Sequence, residues 1–235
     1  IIPEQFERTP DLQRSVLDVG TFEVQRKLPL HRDLLDRLYE HSEGADYLIY
    51  TNVDIGVQPH FYQAVMQKIE DGADAFVISR RTIPTEYVSV DDLPKIYAEE
   101  GKPHPGHDCF VFRRSLYPEL TLGECCIGAT WFDKALLFNI AARADHFVEF
   151  RKDVLTFHIG NDMRWKKGDS REFSLYNKAQ VTSVVRQLEQ EFGPCYHHPR
   201  LWPLVSIVYE KLGFGVPRSA RLRMKFANYA RRLVR

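Results

Sequence analysis

The sequence predicts an α/β fold: one domain with a central, mostly parallel mixed sheet flanked by helices, and a helical C-terminal extension. Three observations predict it. Short apolar runs with strand length alternate with stretches of helical period. The chain of 235 residues is long enough to bury one sizeable core. Its composition, 44% apolar and 27% charged, is that of a globular protein rather than a disordered or fibrous one.

The elements follow in order. Leu30, Leu34, Leu35 and Leu38 recur at helical spacing and predict a helix over 29–41, with Pro29 in its first turn and Gly44 beyond its end. The run 46–50 reads as a buried strand that leads into the polar turn 51–56, Thr-Asn-Val-Asp-Ile-Gly. A second helix is expected over 59–71, closed by Gly72, and a second buried strand over 75–79. Residues 80–107 are rich in Pro, Gly and His and weakly periodic, which predicts a long loop with a short helix near 91–99. A strand is expected at 108–112, a helix from Trp131 to Ala142, and strands at 147–150 and 154–157. Helices are expected over 170–192 and 201–212, followed by a basic amphipathic helix from 217. The domain division placed on this pattern is a catalytic domain over 1–169 and a helical extension over 170–235 packed on it.

Charge and cysteine content narrow the function classes. Lys plus Arg equals Asp plus Glu at 32 each, so no net charge points to nucleic acid as the partner. The segment 217–235 carries arginines and a lysine but no acid. Two readings stay open for it: a helix lying on anionic lipid as a peripheral membrane contact, or a helix whose stripe Leu222, Phe226, Tyr229 and Leu233 packs on protein. No apolar run of about 18 residues occurs, and the start Ile1-Ile2-Pro3-Glu4 lacks a leader pattern and an initiator Met, so a processed or trimmed cytoplasmic chain is expected. Cys109, Cys125, Cys126 and Cys195 show no metal spacing and are expected to be reduced thiols.

The residues with most chemistry follow the first strand. Asn52 and Asp54 offer hard oxygen donors at a strand end, the edge where open α/β sheets bind ligands. The plain reading is a turn, because Asn and Asp bond to their own backbone. Tyr47-Leu48-Ile49-Tyr50-Thr51-Asn52-Val53-Asp54 resembles the strand and metal-binding DxD motif of GT-A glycosyltransferases. In order after it, Gly106–Arg114 resembles the family's acceptor-side strand. Ile127–Asp133 resembles the loop and helix start that carry the acid of inverting members, and Phe157-His158-Ile159-Gly160 resembles its C-terminal metal-binding histidine. The likeness spans about residues 45–160 and departs from the family in two ways. Asn52 replaces the first acid, and only about 45 residues precede the motif strand, where the family places a nucleotide-binding β-α-β unit.

The resemblance implies a transferase that uses Mn²⁺ or Mg²⁺ to hold a nucleotide-diphosphate sugar, foremost a UDP-sugar, and passes the sugar to an unidentified acceptor hydroxyl with inversion. Asp54, with Asn52 and His158, would hold the metal; Asn52, Asp54, Arg164 and Lys166 would meet the nucleotide. Asp133 would be the general base, with Asp108 and Glu124 as fallbacks. Beside each stands a plainer reading: His158 as a strand-end histidine, Arg164 and Lys166 as a solvated loop, and Asp133 as the acid of a capping box begun by Thr130. Trp131 and Trp165 are either sugar-stacking or core residues, and His104 and His107 are candidate acceptor contacts. Two other functions compete: a nucleotidyltransferase, for which no Gly-rich phosphate loop is visible, and a non-catalytic nucleotide- or sugar-binding protein on the same frame, favoured by Asn52.

Overall fold

A computed structural model describes residues 8–87, 89–160, 170–217 and 220. The helices are α1 (His31–Glu40), α2 (Phe61–Glu70), α3 (Leu93–Ala98), α4 (Phe132–Arg143), α5 (Arg171–Phe192) and α6 (Leu201–Val205). The strands are β1 (Tyr47–Thr51), β2 (Gly56–Val57), β3 (Ala75–Ile78), β4 (Arg81–Ile83), β5 (Lys102–Pro103), β6 (Cys109–Arg113), β7 (Phe147–Phe150) and β8 (Thr156–Ile159).

The architecture is mixed α/β, with mixed sheets flanked by helices, as the alternation of periods predicts. The main sheet has the order β1-β6-β3-β7. β1, β3 and β7 point the same way, while β6 runs against both β1 and β3, so only the β3–β7 pair is parallel. The register pairs Ala75 with Phe112 and Ile78 with Cys109. Period-two alternation then sorts the side chains. Ala75, Val77, Phe110 and Phe112 enter the larger core with α4, α5 and α6, whereas Phe76, Ile78, Cys109 and Val111 meet Phe61 and Val65 of α2 on the other face. Helix α4 is buried along 135–142, because the sheet covers one side and α5 and α6 cover the rest.

Of the second sheet, β2-β8-β4-β5, only β8 was legible, as the strand expected at 154–157. Its other members are two or three residues long, too short for period two to register, and β4, α3 and β5 all arise within the expected loop 80–107. Arg81 anchors that segment: Nε donates to Glu100 O at 2.8 Å and Nη2 to Gly101 O at 2.7 Å. The predicted helix 201–212 divides into α6 and a 3₁₀ turn at Glu210–Leu212. No helix among the described residues is long and apolar enough to cross a membrane. The basic segment 217–235 lies outside the described residues except for Pro217 and Ala220.

Candidate active site

The parallel strands end together, and the residues that leave them form a polar edge. Thr51 closes β1, and its Oγ1 donates to Asp108 O at 2.9 Å. Asn52 to Ile55 then form a tight turn in which Ile55 N–H donates to Asn52 O at 3.1 Å. The strand does not continue through Asn52, so the backbone here is the plain turn, with Val53 fully exposed at its tip. β2 leaves this turn and pairs with β8, Gly56 opposite Phe157. That pairing carries His158 to Asp54: Nε2 stands 3.2 Å from Asp54 Oδ2, although the two are far apart in sequence.

The tautomer follows from the other nitrogen. His158 Nδ1 lies 2.7 Å from Gly160 O, so Nδ1–H donates to that carbonyl and Nε2 is the nitrogen that faces the Asp54 carboxylate. Gly160 has φ +71°, and a Cβ there would meet Thr85 Cγ2 at 2.5 Å, so glycine suits this bend. Donor chemistry fits a hard divalent cation. Two adjacent ligands of an octahedral ion at about 2.1 Å stand about 3.0 Å apart, close to the Nε2–Oδ2 separation of 3.2 Å. Asp54 is 61% exposed and His158 14%, which leaves the carboxylate open to solvent. Among the described residues no three His, Cys, Asp or Glu side chains are grouped closely enough to hold a metal. An ion here would therefore need donors beyond this pair, such as water, phosphate oxygens or the Asn52 amide.

Deeper in the same edge, Asp108 is buried against Arg80, with Nη1 2.6 Å from Oδ1 and side-chain exposures of 12% for Arg80 and 8% for Asp108. His104 Nδ1 accepts Gly106 N–H at 3.0 Å, so its 3.4 Å approach to Asp108 Oδ2 is an electrostatic contact, and Oδ2 has no hydrogen-bond donor. Burial pushes the Asp108 carboxyl up, but the neighbouring His104 and the Arg80 charge more than offset it and hold the group below its usual range. An ionised, guanidinium-paired carboxylate is a poor proton acceptor, so Asp108 is placed to organise the edge rather than to act as a base. His107 is buried and donates Nε2–H to Glu149 Oε2 at 2.9 Å. Burial lowers its pKa against the opposing pull of Glu149, which leaves a neutral ring whose Nδ1 has no partner. Arg80, Glu149 and Arg151, which also bonds Glu149 Oε2 from Nε at 3.1 Å, were missed in the sequence reading. The available signal was their position at the ends of β3 and β7, where a polar residue directly follows or closes an apolar run.

Asp133 is the second residue of α4, and its Oδ2 lies 2.5 Å from Lys134 Nζ. The capping box expected from Thr130 does not form. The N-cap is Trp131, at φ +82°, without a side-chain cap bond, and Thr130 instead uses its backbone, giving O to Asn177 Nδ2 and N–H to Ser174 Oγ. A left-handed Trp costs about 1–2 kcal/mol, a strain held here by packing against the main core. Trp131 is half-buried. Glu124, the other fallback base, lies apart from this edge beside Arg14, 3.4 Å from its guanidinium. Arg164, Lys166 and Trp165 lie outside the described residues. The four cysteines are free and buried, and burial pushes the Cys109 thiol up to about 12 and that of Cys126 to about 11.

Two concavities of about 390 and 580 Å³ lie away from the Asp54–His158 pair, one beside Gln58 and Tyr97, the other beside Phe22 and Glu172. The crevice at the strand ends is open to solvent rather than enclosed, in line with the exposure of Asp54.

No protein-family model matches the chain, and no curated protein matches it. Among solved structures it is similar to "S. aureus TarS 1-349 in complex with UDP-GlcNAc", at 9% identity and a TM-score of 0.44, covering 87% of this chain and 61% of that one. The chain thus spans less than two thirds of that structure. A likeness at this level carries no argument about the chemistry of the site.

Proposed function

We propose that the chain is a glycosyltransferase that moves a sugar from a nucleotide-diphosphate donor, foremost a UDP-sugar, to an acceptor hydroxyl. The observation that carries this reading is the meeting of Asp54 and His158, with Nε2 of His158 3.2 Å from the carboxylate. Asp54 and His158, with Asn52 beside them, would hold Mn²⁺ or Mg²⁺. When bound, the ion supplies neutralisation of the charge that develops on a leaving diphosphate. Asp133 takes the proton of the acceptor hydroxyl as that oxygen attacks the anomeric carbon. The bond from that carbon to the diphosphate breaks with both electrons on the departing oxygen, so configuration inverts. Arg80 fixes Asp108, and Asp108 O fixes Thr51, so the ion pair holds the root of the turn that presents Asp54.

The test is calorimetric titration of a nucleotide-diphosphate panel with and without Mn²⁺, on wild type and Asp54→Ala. Metal-dependent binding of one nucleotide, lost in the variant, is expected. No binding to any nucleotide, with the variant indistinguishable, would sink the metal-site assignment. One observation favours a second reading, a nucleotide- or sugar-binding protein without catalysis: Asn52 stands where the family pattern has an acid, and the described residues supply no third strong ligand. Metal-independent nucleotide binding with no transfer would select it.

A further inference from the structure

The β2–β8 ladder that brings His158 to Asp54 also runs the other way. Its last pair is Val57 with Thr156, and beyond it Gln58 N–H donates to Leu155 O at 2.9 Å. Here the ladder, the start of α2 and helix α3 border a shallow, open concavity of about 390 Å³, whose lining includes Gln58, His60, Ala64, Tyr97, Asp153 and Leu155. None of these residues belongs to the strand-end crevice. Leu155 is three residues from His158, roughly 10 Å along an extended strand.

We infer that this concavity is a binding subsite for a neutral saccharide unit of the acceptor; the acceptor role rests on the glycosyl-transfer reading, and the binding itself does not. Its chemistry is that of a sugar ring. The exposed His60 imidazole, and the lone pairs of the Asp153 carboxylate that its pairing with Lys68 leaves over, offer donors and acceptors to hydroxyl groups, while Tyr97, Ala64 and Leu155 offer apolar surface to the C–H face. Charge argues against a phosphate ligand. No Lys or Arg lines the concavity, and the nearest cation, Lys68, is spoken for. Its Nζ bonds Asp153 Oδ2, lies 3.6 Å over the Phe150 ring and is 14% exposed.

The lining is also held in place before any ligand arrives, which lowers the ordering cost of binding. Gln58 is 6% exposed; its side-chain Nε2 donates to Tyr97 O at 3.3 Å, and its backbone carbonyl accepts Phe61 N–H at 2.9 Å. Tyr97 stands edge-on to Phe157 with ring centres 6.2 Å apart. Gln58 thus ties α3 to the same ladder that carries His158. A chain of sugars seated here would extend along that ladder toward the crevice.

The experiment is titration of the whole chain with neutral trisaccharides of glucose, mannose, galactose and N-acetylglucosamine, followed by amide chemical shifts, on wild type, His60→Ala, Tyr97→Ala and Asp54→Ala. His60 is exposed, so its variant tests the site without disturbing the core. One trisaccharide should shift the resonances of 58–64 and 153–155 and bind about threefold to tenfold more weakly to His60→Ala, the size of one neutral hydrogen bond. Tyr97→Ala should weaken it further; if that variant unfolds, His60→Ala alone decides. Asp54→Ala should leave it unchanged, and inorganic phosphate should not compete. The inference is overturned if no trisaccharide binds, if phosphate displaces it, or if Asp54→Ala rather than His60→Ala removes the binding. The nucleotide titration of the wild type is a separate readout. Saccharide binding without nucleotide binding keeps the subsite and sinks the transfer reading, and the reverse result does the opposite.

Discussion

Asp108 and Arg80 set the residue scale. Removing one member of a buried pair leaves the other charge uncompensated, and Asp108→Asn should destabilise the fold by about 3 kcal/mol in urea unfolding at neutral pH. The acid limb has a definite sign. The folded carboxyl is held below its ordinary value of 3.8, so its contribution is present above that value and lost as pH falls through the lower folded one. The variant, which lacks that contribution, should lose less stability than wild type on going below about pH 4. His31 gives a second window. It is fully buried between Tyr50 and Phe132, and burial lowers its pKa from 6.5 to about 4 despite the nearby Asp133 charge and the Phe132 backbone. The unfolded chain therefore binds the proton first as pH falls, and stability declines between 6.5 and about 4 by about 3 kcal/mol. His31→Leu should flatten that part of the profile, as denaturation midpoints measured across the range would show.

At the scale of elements, the loop that precedes Asp133 is held by helix α5. Asn177, fully buried, accepts Cys126 N–H at 2.8 Å and donates to Cys126 O at 2.8 Å and Thr130 O at 3.1 Å. Asn177→Ala strands buried backbone groups and should cost about 1–3 kcal/mol, with exchange of the 126–130 amides accelerating beyond the global change. The β2–β8 ladder depends on Gly56 in the same local way. A Cβ there would lie 2.4 Å from the Phe157 ring, which is itself packed with Ile83 and Ile96. Gly56→Ala should cost about 1–3 kcal/mol and displace His158 from Asp54, weakening metal-dependent nucleotide binding in calorimetry. Neither dependency was legible in the sequence. Asn177 reads as an ordinary polar position of a long helix, and Gly56 as the end of a turn.

Across the whole molecule, the main sheet carries two unequal cores, and the candidate site lies at its edge rather than within either. A ligand bound only by the folded state raises stability by mass action. At a hundred times its dissociation constant, Mn²⁺ with the cognate nucleotide should add about 2.7 kcal/mol, a rise in Tm of about 5–11 °C. Asp54→Ala should show no such rise in a thermal shift assay. Absence of a rise in wild type at saturating nucleotide would count against the transferase reading.

The apolar periodicity by itself determined the α/β class and the main elements, because burial imposes period two on β3 and β6 and near-continuous apolar character on α4. It also singled out Asn52 and Asp54 as polar residues that close an apolar run, whereas Asp133 and His158 stood out only through the resemblance to GT-A glycosyltransferases. Tertiary structure decided which of these residues meet. Asp54 and His158 face each other through pairing of β8 with the two-residue strand β2, which carries no local signal of its own. The pairing of Asp108 with Arg80 depends on a register between β3 and β6 that only non-local packing sets. Local sequence reports what each segment buries; which polar ends then share an edge is settled by the closure of the sheet.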